Sequence, residues 1–74
     1  MTAKDAYRIL KREAVKFDAN VCVEYDNLFV FHAVENTLGV SLSVDKRTAK
    51  VDGFNPMTMP LEEFKRGKKV TDFK

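Results

Sequence analysis

The sequence is poor in residues that carry chemistry, with one cysteine, one histidine and three glycines. The single Cys22 cannot form an internal disulfide, which fits a reducing compartment. Cys22 and His32 alone are too few ligands to close a zinc site. No glycine-rich loop is present to cradle a phosphate. We therefore expect no metal and no cofactor.

Long apolar runs are also absent. No segment approaches the ~20 apolar residues that span a bilayer, and the N-terminal residues are mixed in charge, unlike a signal peptide. Hydrophobic residues at 45% and charged residues at 32% are typical of a globular protein. We expect one small cytoplasmic domain over residues 1–74, with no membrane partner and marginal stability.

A helix is predicted from Ala3 to about Val15 or Lys16. Thr2 followed by Asp5 has the spacing of a capping box. Apolar residues recur at helical spacing along one face; they are Ala3, Ala6, Tyr7, Leu10, Ala14 and Phe17.

Two strands are predicted next, Val21 to Tyr25 and Leu28 to Val34, because both runs are β-branched and aromatic. The Asp26-Asn27 pair between them tolerates the positive φ angles of a tight turn, and a turn of this length sets the register. Both faces of this hairpin carry large apolar residues.

The register decides whether the thiol and the imidazole can act together. Cys22 opposes Phe31, whereas His32 points to the other face of the sheet. A nucleophilic Cys/His pair is therefore excluded. The Glu62-Glu63 pair is better explained as favourable charge at a helix start than as an acid/base couple. We expect no enzymatic activity.

A second hairpin is predicted after a loop through Glu35 to Gly39. Val40, Leu42 and Val44 alternate with serines, as in a half-buried strand. The chain then returns as a strand over Lys50 to Phe54.

The turn of this second hairpin has two notable residues. The Asp45 carboxylate is placed to accept hydrogen bonds from the turn backbone. Ala49 stands where such turns usually have glycine. If its backbone is left-handed, alanine costs roughly 1 kcal/mol relative to glycine, so Ala49→Gly should stabilise the protein.

The remaining residues predict a short helix and a tail. Pro60 suits the first turn of a helix over Leu61 to Arg66, and Gly67 suits its C-terminal cap. Residues 68–74 are interpreted as a basic tail. The fold class is α+β, with an N-terminal helix packed on a four-stranded antiparallel meander and followed by a short C-terminal helix.

Three motifs after the first helix carry a resemblance: VEYDNLFVF at residues 23–31, LSVDKRTAKV at residues 42–51 and FNP at residues 54–56. With the helix, they resemble small phage and prophage proteins of uncharacterised function from Gram-positive bacteria. The layout is also similar to the PepSY domain and to immunity-type proteins, although Ala49 replaces their glycine. The resemblance implies a virion-associated or host-interaction role and supplies no catalytic residue.

Two surfaces are candidates for partner binding. The first is a cationic ridge on the long helix, where basic residues recur about every four positions. It is either a solvated face, a contact for an acidic protein, or a nucleic-acid contact, for which no recognised binding motif is present. The ridge consists of Lys4, Arg8, Lys11, Arg12 and Lys16.

The second candidate surface is apolar. One helix covers only one face of a sheet, so the other is covered by the short helix with its neighbouring methionines or is exposed as an interface. The apolar set on the opposite face of the sheet is the alternative, because the sequence does not indicate which face the long helix covers. The candidate interface residues are Val21, Val23, Tyr25, Leu28, Val30, Met57 and Met59.

These features favour a non-enzymatic protein that acts by contact with a protein partner or with a second copy of itself. One alternative is a nucleic-acid-binding accessory protein that uses the basic helix. The other is an inhibitor or immunity-type protein. The phage resemblance adds a virion-associated location as an alternative to the cytoplasm of a bacterial host.

Overall fold

The structure, a computed structural model, describes residues 1–33 and 41–74. These residues form an α+β fold in which a five-stranded antiparallel sheet has the order β4-β3-β2-β1-β5. The elements are α1 (Ala3–Glu13), β1 (Val21–Glu24), β2 (Leu28–His32), β3 (Ser41–Asp45), β4 (Val51–Phe54), a 3-10 helix (Pro56–Thr58), α2 (Leu61–Lys65) and β5 (Lys68–Val70).

The prediction of four strands is wrong, because β5 lies within the segment interpreted as a basic tail. This strand pairs antiparallel with β1 and forms one edge of the sheet. Its Lys68 and Lys69 are exposed, and lysines on an edge strand discourage pairing with other chains. These two lysines also interrupt the alternation of apolar and polar residues that predicts a strand from sequence.

The capping box at the start of α1 is confirmed. The Thr2 hydroxyl accepts a hydrogen bond from the Asp5 backbone N–H at 3.1 Å, and the Asp5 carboxylate accepts one from the Thr2 backbone at 3.0 Å. The helix ends at Glu13, two or three residues before the predicted end. Beyond it, the Lys11 ammonium donates to the carbonyl oxygens of Val15 and Phe17.

The predicted register of the first hairpin is confirmed. Cys22 pairs with Phe31 and Val23 with Val30. The turn closes without the positive φ angles expected at Asp26-Asn27, since among the described residues Ala49 alone of the non-glycines has one. The predicted continuation of β2 through Val34, the loop over Glu35 to Gly39 and the predicted strand residue Val40 lie outside the described residues.

The main core lies between α1 and one face of the sheet. Two residues of α1, Ala6 and Leu10, are fully buried there. Phe73 is buried in the same core, so the C-terminal segment contributes to packing. The other buried members of this cluster are Ala19, Cys22, Phe29, Phe31 and Val44.

The second face of the sheet is closed by aromatic rings from distant parts of the chain. The Tyr25 and Phe54 rings stack at 6.3 Å between centroids, and the Phe64 ring of α2 lies 6.1 Å from that of Tyr25. Tyr25 directly follows β1 whereas Phe54 belongs to β4, so this contact reaches across β2 and β3. Val30 in β2 is fully buried on this face.

The turn between β3 and β4 has the predicted form. The Asp45 carboxylate accepts hydrogen bonds from the backbone N–H groups of Arg47 at 2.8 Å and Thr48 at 2.9 Å. These two bonds lower the pKa of Asp45. Ala49 has φ 60°, in the left-handed region that disfavours a side chain with a Cβ atom.

Ala49→Gly is therefore expected to raise the free energy of unfolding by roughly 1 kcal/mol. Thermal denaturation followed by circular dichroism should show a melting temperature about 4–8 °C higher. The matched control is Ala14→Gly, which should lower the melting temperature, because Ala14 has φ −125° and packs against the core. Glycine there removes a contact and adds freedom to the unfolded chain. A melting temperature that stays level or falls for Ala49→Gly would contradict the strain at this turn.

Candidate protein-interaction surface

The apolar sheet residues predicted as an interface do not form an exposed patch. Tyr25 is 6% exposed and Val30 is 0% exposed, because the second face is closed within the chain. Val21, Val23 and Leu28 are half-buried. Charged substitutions at Tyr25 or Val30 would therefore disturb the fold before they could report on a partner.

Exposed apolar side chains are instead concentrated beside the sheet, on the 3-10 helix and α2. Met57 is 89% exposed, Leu61 65% and Phe64 43%. Together with Pro56 and Met59 they line one shallow depression of about 300 Å³. We call these five residues the α2 patch. It contains both predicted methionines, while Leu61 and Phe64 were missing from the predicted interface.

The position of α2 explains why its apolar residues stay exposed. The helix has only five residues, and Leu61 and Phe64 are three apart, which places them on neighbouring positions of one side. Phe64 packs its ring near Tyr25 and leaves the rest of its surface to solvent. The spacing of Leu61 and Phe64 can be read from the sequence. Their exposure cannot, because it depends on which other described residues pack over them.

The α2 helix and the residue after it also carry charged side chains. Glu62 and Glu63 lie in the first turn of α2 and Lys65 lies in its last turn. The Arg66 guanidinium donates to the Asp26 carboxylate at 2.8 Å. This ion pair ties the end of α2 to the turn of the first hairpin.

The cationic ridge is partly matched by carboxylates of the same chain. Lys4 lies 3.7 Å from Asp72, and Arg8 lies 3.8 Å from Asp5. Lys11 is engaged with backbone carbonyls beyond the helix end. Such exposed pairs contribute little to the stability of the fold, but they reduce the positive charge that the ridge offers to a partner.

The structure adds aromatic residues and the C-terminus to this ridge. A shallow groove of about 490 Å³ runs between α1 and the last residues, and Lys74 at its edge lies 3.7 Å from Asp18. Lys16 lies beyond the end of α1 and does not line the groove, while the other four predicted ridge residues do. The lining residues are Lys4, Tyr7, Arg8, Lys11, Arg12, Phe73 and Lys74.

The thiol and the imidazole are kept apart and are both in their neutral forms near neutral pH. Cys22 is fully buried on the α1 side, and burial, with a smaller contribution from Glu24, raises the pKa of its thiol to about 11. Since the thiolate is the nucleophile, this thiol is unreactive. Burial lowers the pKa of His32, whose Nδ1 lies 2.6 Å from the Ser41 hydroxyl oxygen.

A further charged contact has a structural role that sequence analysis missed. The Lys46 ammonium lies 2.7 Å from the Glu24 carboxylate and 5.0 Å from the centroid of the Phe29 ring. These two interactions are an ion pair and a cation–π contact. Together they hold the β3–β4 turn against the first hairpin. Only the fold brings these three residues together, because Lys46 is far from both partners in sequence.

Over residues 1–33 and 41–74 the structure contains no helix long and apolar enough to cross a membrane. The same residues include no group of three or more His, Cys, Asp or Glu side chains that could hold a metal ion. No family model, no curated protein and no solved structure matches the chain. The fold alone therefore defines the class of this protein. It is a small α+β domain with an exposed apolar patch at one side of its sheet.

Proposed function

We propose that this protein acts without catalysis, by binding another protein through the α2 patch. The observation that carries the proposal is the exposure of three neighbouring large apolar side chains, Met57, Leu61 and Phe64. Contiguous exposed apolar residues with a polar rim are typical of protein interaction sites. Methionine and phenylalanine are also among the residues enriched in interfaces.

The energetics support binding at this site. Fully burying one such side chain is worth about 1.5–3 kcal/mol relative to leaving it in water. Met57 and Leu61 keep most of their surface in solvent, so a partner that covers them gains much of that free energy. In contrast, Tyr25 and Val30 have already been buried by folding and offer no further gain.

The chemistry of the described residues also favours binding over catalysis. The Cys22 thiol has a raised pKa and is fully buried, and His32 lies on the opposite face of the sheet. The resemblance to small phage and prophage proteins agrees with a role carried by a surface. A host-interaction or virion-associated role, in a bacterial cytoplasm or on a virion, is the biological form we propose for it.

Leu61→Asp is expected to abolish partner binding while the fold is retained. Leu61 is the first residue of α2, where an aspartate is favourable because it faces the positive end of the helix. The measurement is capture of partners from native cells by immobilised protein, followed by mass spectrometry, with circular dichroism as a check on folding. A protein retained by wild type and lost with Leu61→Asp would be the partner.

Two further variants make this measurement decisive. Val15→Asp is the matched control, because Val15 is 69% exposed but lies outside the α2 patch, and it should bind as wild type does. Arg12→Glu reverses a charge in the groove beside α1. Loss of binding with Arg12→Glu but not with Leu61→Asp would overturn the proposal.

That outcome would favour the second candidate function, which is binding of an anionic partner such as nucleic acid along the groove. The observation in its favour is the set of basic side chains around the groove. Affinity for such a partner would fall steeply with salt. We favour the α2 patch because Lys4, Arg8 and Lys74 already lie near carboxylates of the chain.

A further inference from the structure

The groove beside α1 combines basic side chains with two aromatic rings, those of Tyr7 and Phe73. Phe73 is 4% exposed, whereas Tyr7 is half-buried and keeps part of its ring in solvent. The Tyr7 ring lies 5.5 Å from the ring of Phe73 and 6.1 Å from that of Phe31, measured between centroids. Because these contacts already hold the ring in place, a partner that covers it loses little entropy in ordering it.

The basic side chains of the groove are held only loosely by carboxylates of the same chain. Lys4 and Lys74 each lie 3.7 Å from a carboxylate, and Arg8 lies 3.8 Å from one. A charge-assisted hydrogen bond spans about 2.7–2.9 Å, as between Arg66 and Asp26 at 2.8 Å. The three groove cations can therefore donate to carboxylates of a partner without first breaking a hydrogen bond to their own.

We propose that this groove binds an acidic segment of a partner protein, with its carboxylates on the basic side chains and an apolar side chain on Tyr7. The occupant is identified by charge complementarity, since five of the seven lining residues are basic and none is acidic. The groove shares no residue with the α2 patch. It is therefore a second binding site and does not depend on the proposed function.

The spacing of the basic residues suits an extended peptide. Lys4, Arg8 and Arg12 line the groove and follow one another at every fourth residue of α1, so they form one row on the helix surface. Neighbours in this row are about 6 Å apart along the helix axis. Alternate side chains of an extended peptide are about 6.6–6.8 Å apart. An extended acidic segment can therefore place one carboxylate near each cation of the row.

A nucleic acid fits the same groove less well. Stacking of bases requires an open aromatic face, but Phe73 is almost fully buried and the Tyr7 ring packs against Phe31 and Phe73. A single strand also carries a phosphate at every nucleotide, and some of these would approach Asp5 and Asp72, which lie beside the same cations. A peptide avoids this repulsion because it can carry carboxylates only where they face cations.

The test is fluorescence anisotropy of a labelled synthetic peptide with glutamates at alternate positions and one leucine, titrated with the full chain. At about 0.1 M salt, screening over about 10 Å confines charge effects to nearby groups. Wild type should bind in the micromolar range or above, because the contact is small. Arg12→Glu should bind about tenfold more weakly, since an attraction becomes a repulsion.

The matched control is Lys16→Glu, which changes the net charge by the same amount. Lys16 is exposed but does not line the groove, so this variant should bind as wild type does. Leu61→Asp should also bind as wild type does, because the α2 patch is separate. Circular dichroism checks that each variant is folded. On the peptide side, replacing the leucine with asparagine or the glutamates with glutamine should weaken binding.

Four results would each overturn the inference. The first is no change in anisotropy at protein concentrations up to about 1 mM. The second is an equal loss of affinity with Lys16→Glu and Arg12→Glu, which would indicate attraction by net charge alone. The third is undiminished binding of the peptide that lacks the leucine. The fourth is tighter binding of an oligothymidylate of the same charge, which would identify the occupant as nucleic acid.

Discussion

Phe73→Ala is expected to lower the free energy of unfolding by about 3–5 kcal/mol, the range for deleting a buried phenylalanine side chain. Phe73 is 4% exposed. Its ring makes edge-to-face contacts with Tyr7 at 5.5 Å and with Phe31 at 5.7 Å between centroids. Removal of the Phe73 ring would eliminate both contacts and leave a cavity between α1 and the sheet. A small domain has a total stability of only about 5–15 kcal/mol, so much of the variant could be unfolded at 37 °C.

Urea denaturation followed by circular dichroism measures this effect, and the neighbouring Lys74→Ala is the control. Lys74 is exposed, and its ammonium lies 3.7 Å from the Asp18 carboxylate. A substitution at such a surface position usually changes stability by less than about 0.5 kcal/mol. If residues 68–74 formed a solvated basic tail, the two variants would have equal stability. A large difference would show that the C-terminal segment is part of the core.

The first hairpin could be predicted because its information is local. Two runs of strand-forming residues are separated by only Asp26-Asn27, so the turn length alone fixes which residues face each other. The separation of Cys22 from His32 followed from the same register and is confirmed. The capping box of α1 and the Asp45 turn are local in the same sense, since their partners lie within three residues.

The fifth strand could not be predicted because its information is not local. Lys68, Lys69 and Val70 have no strand pattern of their own, and they pair with β1, more than forty residues earlier in the chain. The pairing is made by backbone hydrogen bonds, which carry no sequence signature. The basic composition of the segment favoured a tail, in which the apolar residues Val70 and Phe73 were interpreted as anchors and not as part of a strand.

The candidate interface shows the same limit. The sequence predicts Tyr25 as an apolar strand residue on one face of the sheet, but whether it is exposed depends on Phe54 and Phe64, which arrive from β4 and α2. Those rings cover Tyr25 and leave Leu61 outside. Residue type and spacing therefore predicted which residues share a face of the sheet, while packing decided which face α1 covers and which residues remain in solvent.

Gly67→Ala is expected to destabilise the protein by about 1–3 kcal/mol, the usual cost of forcing extra atoms into a packed site. A Cβ atom at position 67 would lie 2.6 Å from Cε1 of Tyr25 and 2.9 Å from Cγ1 of Val23. The sequence suggested a helix cap for this glycine, but its φ is not in the left-handed region. What requires glycine here is the close approach of the backbone to the Tyr25 ring. The ring cannot move aside freely because it also packs against Phe54.

Gly53→Ala is the matched control, since a Cβ atom at position 53 would have no neighbour within 4 Å. This variant should be as stable as wild type or slightly more stable, because alanine reduces the freedom of the unfolded chain. Gly67→Asn separates the two explanations of Gly67, since asparagine tolerates a left-handed cap but carries the same Cβ atom. Equal thermal stability of Gly67→Asn and wild type would contradict the close approach. A loss as large as that of Gly67→Ala would show that Gly67 sets the distance between α2 and the sheet, and with it the position of Leu61 and Phe64 at the surface.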